Sequence, residues 1–158
     1  MDLCTLAIWH SVLDEAQFGP SEINWGILPG GGATKVATCL VPMRAAMYHA
    51  LLGETMDGQT AARLGLVNES LPLAQLKARV MDVANKLLQK NWVTLKAAKD
   101  AVRRSMEMTY DNAEDYSVRT QEAANSLDKT EGRKDGIRQF VDEKSYKPGL
   151  EAYDKSKS

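Results

Sequence analysis

From Pro72 onward the sequence offers almost nothing but helix. Leu76, Val80, Val83 and Leu87 recur at spacings of four, three and four residues, which brings them onto one face of a helix over about 73–90. Trp92, Leu95, Ala98 and Val102 continue the pattern in a second helix, with Asn91 suited to its N-cap. A third is expected to begin near "DNAE", where Asp111 and Glu114 stand at capping-box spacing, and to run to about 127. "DKTE" at 128–131 offers the same device ahead of Ile137, Phe140 and Val141. Only the Lys- and Ser-rich tail after Tyr153 reads as frayed. These last helices are rich in charge and thin in apolar surface. They are therefore expected to lie on another part of the core or on another subunit.

The preceding part is of a different kind. "LCTLAIW" at 3–9 has the length of a buried strand, and "EAQFG" at 15–19 could form another. "ATKVATCLV" at 33–41 and "MRAAMYHALLG" at 43–53 read as helices, the second stopped by Gly53. "DGQTAARLG" at 57–65 is a further short helix ended by glycine, and "LVNES" at 66–70 returns to extended chain. The fold class is α/β, mainly helical with a few short strands. Residues 1–90 are expected to form the α/β core and residues 91–158 a C-terminal helical assembly region.

Composition narrows the function classes. The 158 residues suit one domain's length, and a hydrophobic fraction of 44% supplies a real core. A net charge of −1 gives no field to draw the chain onto nucleic acid or an anionic membrane. No run of about 18 apolar residues is present, and the start lacks the basic region of a signal sequence. The expectation is a soluble, cytoplasmic protein. Cys4 and Cys39 lack CxxC spacing or accompanying histidines, so they read as reduced thiols, with no metal site indicated.

The stretch that asks for chemistry is "SEINWGILPGGG" at 21–32. It sets Glu22 among Ile23, Trp25, Ile27 and Leu28, then breaks the chain with Pro29 and three glycines. A carboxyl group with apolar surroundings loses hydration in its charged form, which raises its pKa and suits it to proton transfer near neutral pH. Gly30 and Gly31 leave nothing to obstruct a ligand, and the helix starting near Ala33 turns free N–H groups toward them. The triplet is neither a P-loop nor GxGxxG.

"LAI…DEAQFGPSEINWGILPGGGATK", followed by "GETMDGQTAARLGLVNESLPLAQL", resembles the crotonase (enoyl-CoA hydratase/isomerase) superfamily. "SEINWGI", "LVNESLPLAQL", "NAEDY" and "KPGLEAY" resemble most closely its feruloyl-CoA hydratase/lyase (hydroxycinnamoyl-CoA hydratase-lyase) group. The resemblance implies the C-terminal portion of a crotonase-like fold, and it places the family's catalytic glutamate on Glu22. It also implies an acyl-CoA thioester substrate, with coenzyme A entering as part of that substrate and no further cofactor or metal. Trp25, Gly30, Gly31 and Tyr116 become candidates for substrate binding, and Phe140 and Lys144 for contact with coenzyme A. Trp25 and Tyr110 also suit core or interface packing.

The reaction implied is hydration of feruloyl-CoA, followed by retro-aldol cleavage to vanillin and acetyl-CoA. The implied assembly is a homo-oligomer, a trimer or a hexamer. The family's two oxyanion donors are expected to lie in segments N-terminal to Met1, and their loss would impair turnover. Two other readings stay open. One is a noncatalytic crotonase-like fragment acting through oligomer assembly; the other is a general enoyl-CoA hydratase or isomerase with an aliphatic substrate. "LAIWHSVLDEA" is also about three residues longer than the resemblance leads one to expect, so the strand before Glu22 is expected to be displaced or poorly formed.

Overall fold

A computed structural model describes residues 9–147, 149 and 152–157. The predicted strand at 3–9 lies almost wholly outside the described residues, and Cys4 lies outside them too. The chain divides into two compact units, Met1–Val83 and Ala84–Ser158.

The first unit is organised by a small parallel sheet. Strand β1, Ser11–Leu13, pairs with β2, Glu69–Leu71, in the register Ser11 to Glu69, Val12 to Ser70 and Leu13 to Leu71. Strand β1 lies within the lengthened "LAIWHSVLDEA" segment, just after Trp9. The "EAQFG" segment does not form a strand, and contributes a single antiparallel bridge between Phe18 and Met56. Between the strands run helices α1, Ala33–Leu40, α2, Met43–Leu52, and α3, Gly58–Leu64. Glycine ends two of them in the left-handed conformation, Gly53 at φ 65 and Gly65 at φ 85. Asp57 caps α3 by accepting the Thr60 N–H at 2.8 Å. Met56, Ala61 and Val67 form the core, with Val12, Phe18, Leu64 and Leu66 packed against it.

Helix α4, Leu73–Leu88, spans the division between the units. The second unit contains α5, Trp92–Ser105, α6, Tyr110–Leu127, and α7, Gly132–Ile137. Helices α5 and α6 pack against each other. Asn91 caps α5 as expected, its Oδ1 accepting from Thr94 N at 3.0 Å. The capping boxes do not form. Helix α6 starts a residue before Asp111, with Thr109 at its N-cap and no side-chain cap bond. Before α7, Asp128 accepts directly from the N–H groups of Thr130 and Gly132, both at 3.0 Å. Glu131 instead takes φ 52 and pairs with Lys134 at 2.6 Å.

The tail departs from the frayed reading. Asp154 exchanges two hydrogen bonds with the buried side chain of Gln139, at 2.9 and 2.8 Å. Lys155 Nζ donates to the Leu88 and Lys90 carbonyls at 3.0 and 2.7 Å. An amide side chain offers a donor and an acceptor together, so it holds backbone as a neighbouring strand would.

Candidate functional site

Glu22 opens a short 3-10 turn, Glu22–Trp25, which Gly26 closes at φ 70. The bonds from Gly26 N to Ile23 O and from Ile27 N to Glu22 O, at 3.1 and 3.2 Å, turn the chain back on itself. This turn brings the half-buried Glu22 to a cavity of about 330 Å³ in the first unit, whose walls include Phe18, Val36, Val41, Met56 and Leu66. Among the described residues, none gives the Glu22 carboxylate a hydrogen bond or an ion pair.

The apolar surroundings of Glu22 are not those that its sequence neighbours promise. Ile23, Trp25, Ile27 and Leu28 are 37%, 71%, 54% and 79% exposed. Its apolar walls come from α1, from the Phe18–Met56 bridge and from the chain after α3. Sequence reading missed these wall residues because nothing local connects Phe18 to Met56 or Leu66. The alternation that marks a lining strand is also absent, since Phe18 pairs through one bridge alone.

Gly30 and Gly31 sit on the exposed turn before α1 and are not among the walls of this cavity. A Cβ at either would meet nothing within 4 Å, so the turn is open to solvent. Gly31 and Gly32 have φ of 63 and 91, values that favour glycine, whereas Gly30 does not adopt a positive φ. Trp25, likewise, is not among the cavity walls.

The remaining candidates belong to the second unit. Its cavity, about 630 Å³, is lined by residues that include Leu95, Ile137, Phe140, Tyr146 and Tyr153. Phe140 stands on a π-helical turn, Arg138–Asp142, with its ring 6.0 Å from that of Tyr146. Gly132 and Gly136, one helical turn apart, make room for Tyr153: a Cβ at Gly132 would lie 2.3 Å from the tyrosine oxygen. Lys144 is exposed, with φ 52. Tyr116 is half-buried on α6 and is not among the walls of this cavity.

Besides Asp57, the cap of α3, which the Thr60 N–H holds down, two carboxylates are held below the ordinary carboxylate range. At Asp128 the chief cause is the Thr130 hydroxyl, joined by the Thr130 and Gly132 N–H groups and the Asn91 amide. At Glu69 it is the Ser11 hydroxyl, followed by Arg79, which also lies 5.4 Å from the Trp9 ring centroid. Both serve packing within their own unit. Cys39 is free and exposed. Among the described residues, no group of three or more His, Cys, Asp or Glu is placed to hold a metal ion, and no helix is long and apolar enough to cross a membrane.

Comparison with known proteins adds an independent line. Residues 4–148 match the enoyl-CoA hydratase/isomerase family. A hydroxycinnamoyl-CoA hydratase-lyase of Pseudomonas fluorescens is 47% identical over 150 residues, covering 95% of this chain and 53% of that protein. A 2,3-dehydroadipyl-CoA hydratase of Escherichia coli is 31% identical, covering 90% of this chain and 56% of that one. This chain therefore spans about half the length of these curated relatives. A solved enoyl-CoA hydratase subunit I of Geobacillus kaustophilus superposes with a TM-score of 0.80 over 94% of this chain and 57% of that one, at 24% identity. That likeness shows the fold, a crotonase-like one.

Proposed function

Because the chain belongs to the enoyl-CoA hydratase/isomerase family, we propose that Glu22 is the acid/base group of an acyl-CoA hydratase acting on hydroxycinnamoyl-CoA thioesters. The observation that carries this reading is the placement of Glu22. Glu22, whose carboxylate has no polar partner among the described residues, lines a cavity whose walls include Phe18, Val36, Met56 and Leu66. A carboxylate so placed is free to take a proton from water and return it to a substrate carbon. The substrate class rests on the 47% identity to the hydroxycinnamoyl-CoA hydratase-lyase.

In the reaction proposed, water adds across the conjugated double bond. Its hydroxyl goes to the β-carbon, and Glu22 delivers a proton to the α-carbon. The hydroxyl proton of the product then leaves as the Cα–Cβ bond breaks, giving an aromatic aldehyde and acetyl-CoA once the α-carbon is reprotonated. From feruloyl-CoA the aldehyde is vanillin. Coenzyme A enters and leaves as a thioester, and no other cofactor is part of this proposal. Gly30, Gly31, Trp25 and Tyr116 are proposed to meet the substrate, and Phe140 and Lys144 its coenzyme A portion. Incubating the purified chain with feruloyl-CoA tests the proposal: vanillin and acetyl-CoA should accumulate in equal amounts, and release of neither would refute it.

A second reading has its own observation. Leu28, Met43, Met47, Leu51, Leu52, Leu73, Leu88 and Trp92 are all exposed, more apolar surface than a solitary chain tolerates. We propose accordingly that the chain works in an oligomer. If vanillin is absent while the chain elutes as a defined assembly, the noncatalytic assembly reading replaces the first.

A further inference from the structure

The segment carrying Glu22 is clipped to the Gly53–Met56 connection on both sides of that residue. Before it, Thr55 Oγ1 donates to Gln17 Oε1 at 2.8 Å, and Phe18 and Met56 exchange backbone bonds of 2.9 and 2.7 Å. After it, Asn24 Nδ2 donates to the Gly53 carbonyl at 3.0 Å. Among the described residues this is the one side-chain hydrogen bond from the Glu22–Trp25 turn to another element.

The turn has little else to hold it. None of its four residues is buried, so hydrophobic burial contributes little to its orientation. Its own backbone bonds fix its shape but not its direction. Gly53, by contrast, is buried and firmly set, since its N–H closes α2 on the His49 carbonyl at 3.0 Å. The site is also shaped to receive the Asn24 amide. A Cβ at Gly53 would lie 2.5 Å from Asn24 Nδ2 and 2.6 Å from Oδ1, a separation that real Cβ atoms essentially never show. Glycine at 53 thus answers two demands: the left-handed end of α2 and the seat of the Asn24 amide.

Building on the reading of Glu22 as the acid/base group, we propose that Asn24 is a positioning residue. Its amide, seated on Gly53, fixes the 3-10 turn so that the Glu22 carboxylate stays on the cavity walled by Phe18, Val36 and Met56. Proton transfer to carbon depends steeply on placement, and a displacement of about 1 Å can cost roughly 100-fold in rate. Asn24 therefore acts on the chemical step through Glu22 and has no part in holding the thioester.

Asn24→Ala in the full chain tests this by two readouts. Amide hydrogen exchange at Asn24, Gly26 and Ile27 should rise about tenfold or more while amides in α4 to α6 keep their rates. With feruloyl-CoA, kcat should fall on the order of 10- to 100-fold while KM stays within about twofold. Gly53→Ala, which displaces the Asn24 amide, should loosen the same three amides, and much less so when Asn24 is already alanine. Unchanged exchange at 24–27, acceleration spread evenly over all helices, or a rise in KM with kcat constant would each overturn the proposal. Should the unaltered chain fail to convert feruloyl-CoA, the Glu22 reading falls by itself. The exchange readout then still decides whether Asn24 anchors the turn.

Discussion

Asn91 and Asp128, 37 residues apart, are joined by a 2.8 Å hydrogen bond from Asn91 Nδ2 to Asp128 Oδ2. The other end of the same amide caps α5 through Thr94 N. One side chain thus fastens the start of α5 to the turn between α6 and α7. Asn91→Ala should remove both bonds and destabilise the chain by about 1–3 kcal/mol. Asn91→Asp, which keeps the cap but sets a second carboxylate against Asp128, should be destabilising at neutral pH and recover part of the loss on acidification. Urea unfolding of the three proteins checks both outcomes.

Glu22→Gln is nearly isosteric and retains hydrogen-bonding capacity, so the thermal midpoint should not move measurably. Hydration of feruloyl-CoA should fall by about 100-fold or more, the usual worth of a general acid/base group. Equal turnover in the two proteins would take Glu22 out of the mechanism.

Acid should weaken the fold in a defined way. Asp128 and Glu69 are both held below the ordinary carboxylate range, so each binds a proton more readily unfolded than folded. Their contribution is complete above the unfolded pKa, about 4, and is lost as pH falls through the depressed folded value. Stability measured from neutral pH downward should drop below about pH 4, and Asp128→Asn should flatten that acid limb. An acid limb equally steep in the variant would exclude Asp128 as a source.

Gly58 faces a backbone atom rather than a movable side chain. A Cβ there would lie 2.0 Å from the Leu13 carbonyl oxygen, which belongs to β1. Gly58→Ala should cost about 1–3 kcal/mol or more, because the strand must shift to admit the methyl group. Calorimetry checks this, with Gly30→Ala, where a Cβ meets nothing within 4 Å, as the tolerant control.

Tyr116 separates the two enzymatic readings. If it meets the substrate phenol, Tyr116→Phe should slow vanillin release by about tenfold, the worth of roughly 1.5 kcal/mol of hydrogen bonding. Hydration of crotonyl-CoA, which has no phenol, should be unaffected. Equal loss on both substrates would favour a packing role.

The helices were legible because their determinants are local. Periodic apolar residues from Leu76 to Leu87, Asn91 ahead of α5 and glycines at 53 and 65 each act within a turn or two of themselves. The sheet was less so: β1 is three residues long and owes its place to a partner far along the chain. Capping boxes failed at Asp111 and Asp128 for a related reason. Spacing states that a pair could meet, while the actual bonds depend on where the preceding turn delivers the backbone. At the candidate site, Glu22 stood out by its company of apolar neighbours, yet most of those neighbours are turned to solvent. The residues around its cavity are gathered from five places in the chain, and no periodicity records that. Gln139 gave no signal at all, since a glutamine among charged helical residues reads as surface until its backbone partner at Asp154 is known.

The pairing of Ser11 with Glu69 closes a long loop with very little ladder to show for it. Helices α1, α2 and α3 need only near neighbours and can form early, whereas three residues of strand must recover the entropy of bringing distant segments together. Association of Met56, Ala61 and Val67 with Val12 supplies that recovery. Closure of the first unit is accordingly expected to be a late, topology-limited step of folding. Until it occurs, both three-residue strands present unpaired edges to any other chain nearby.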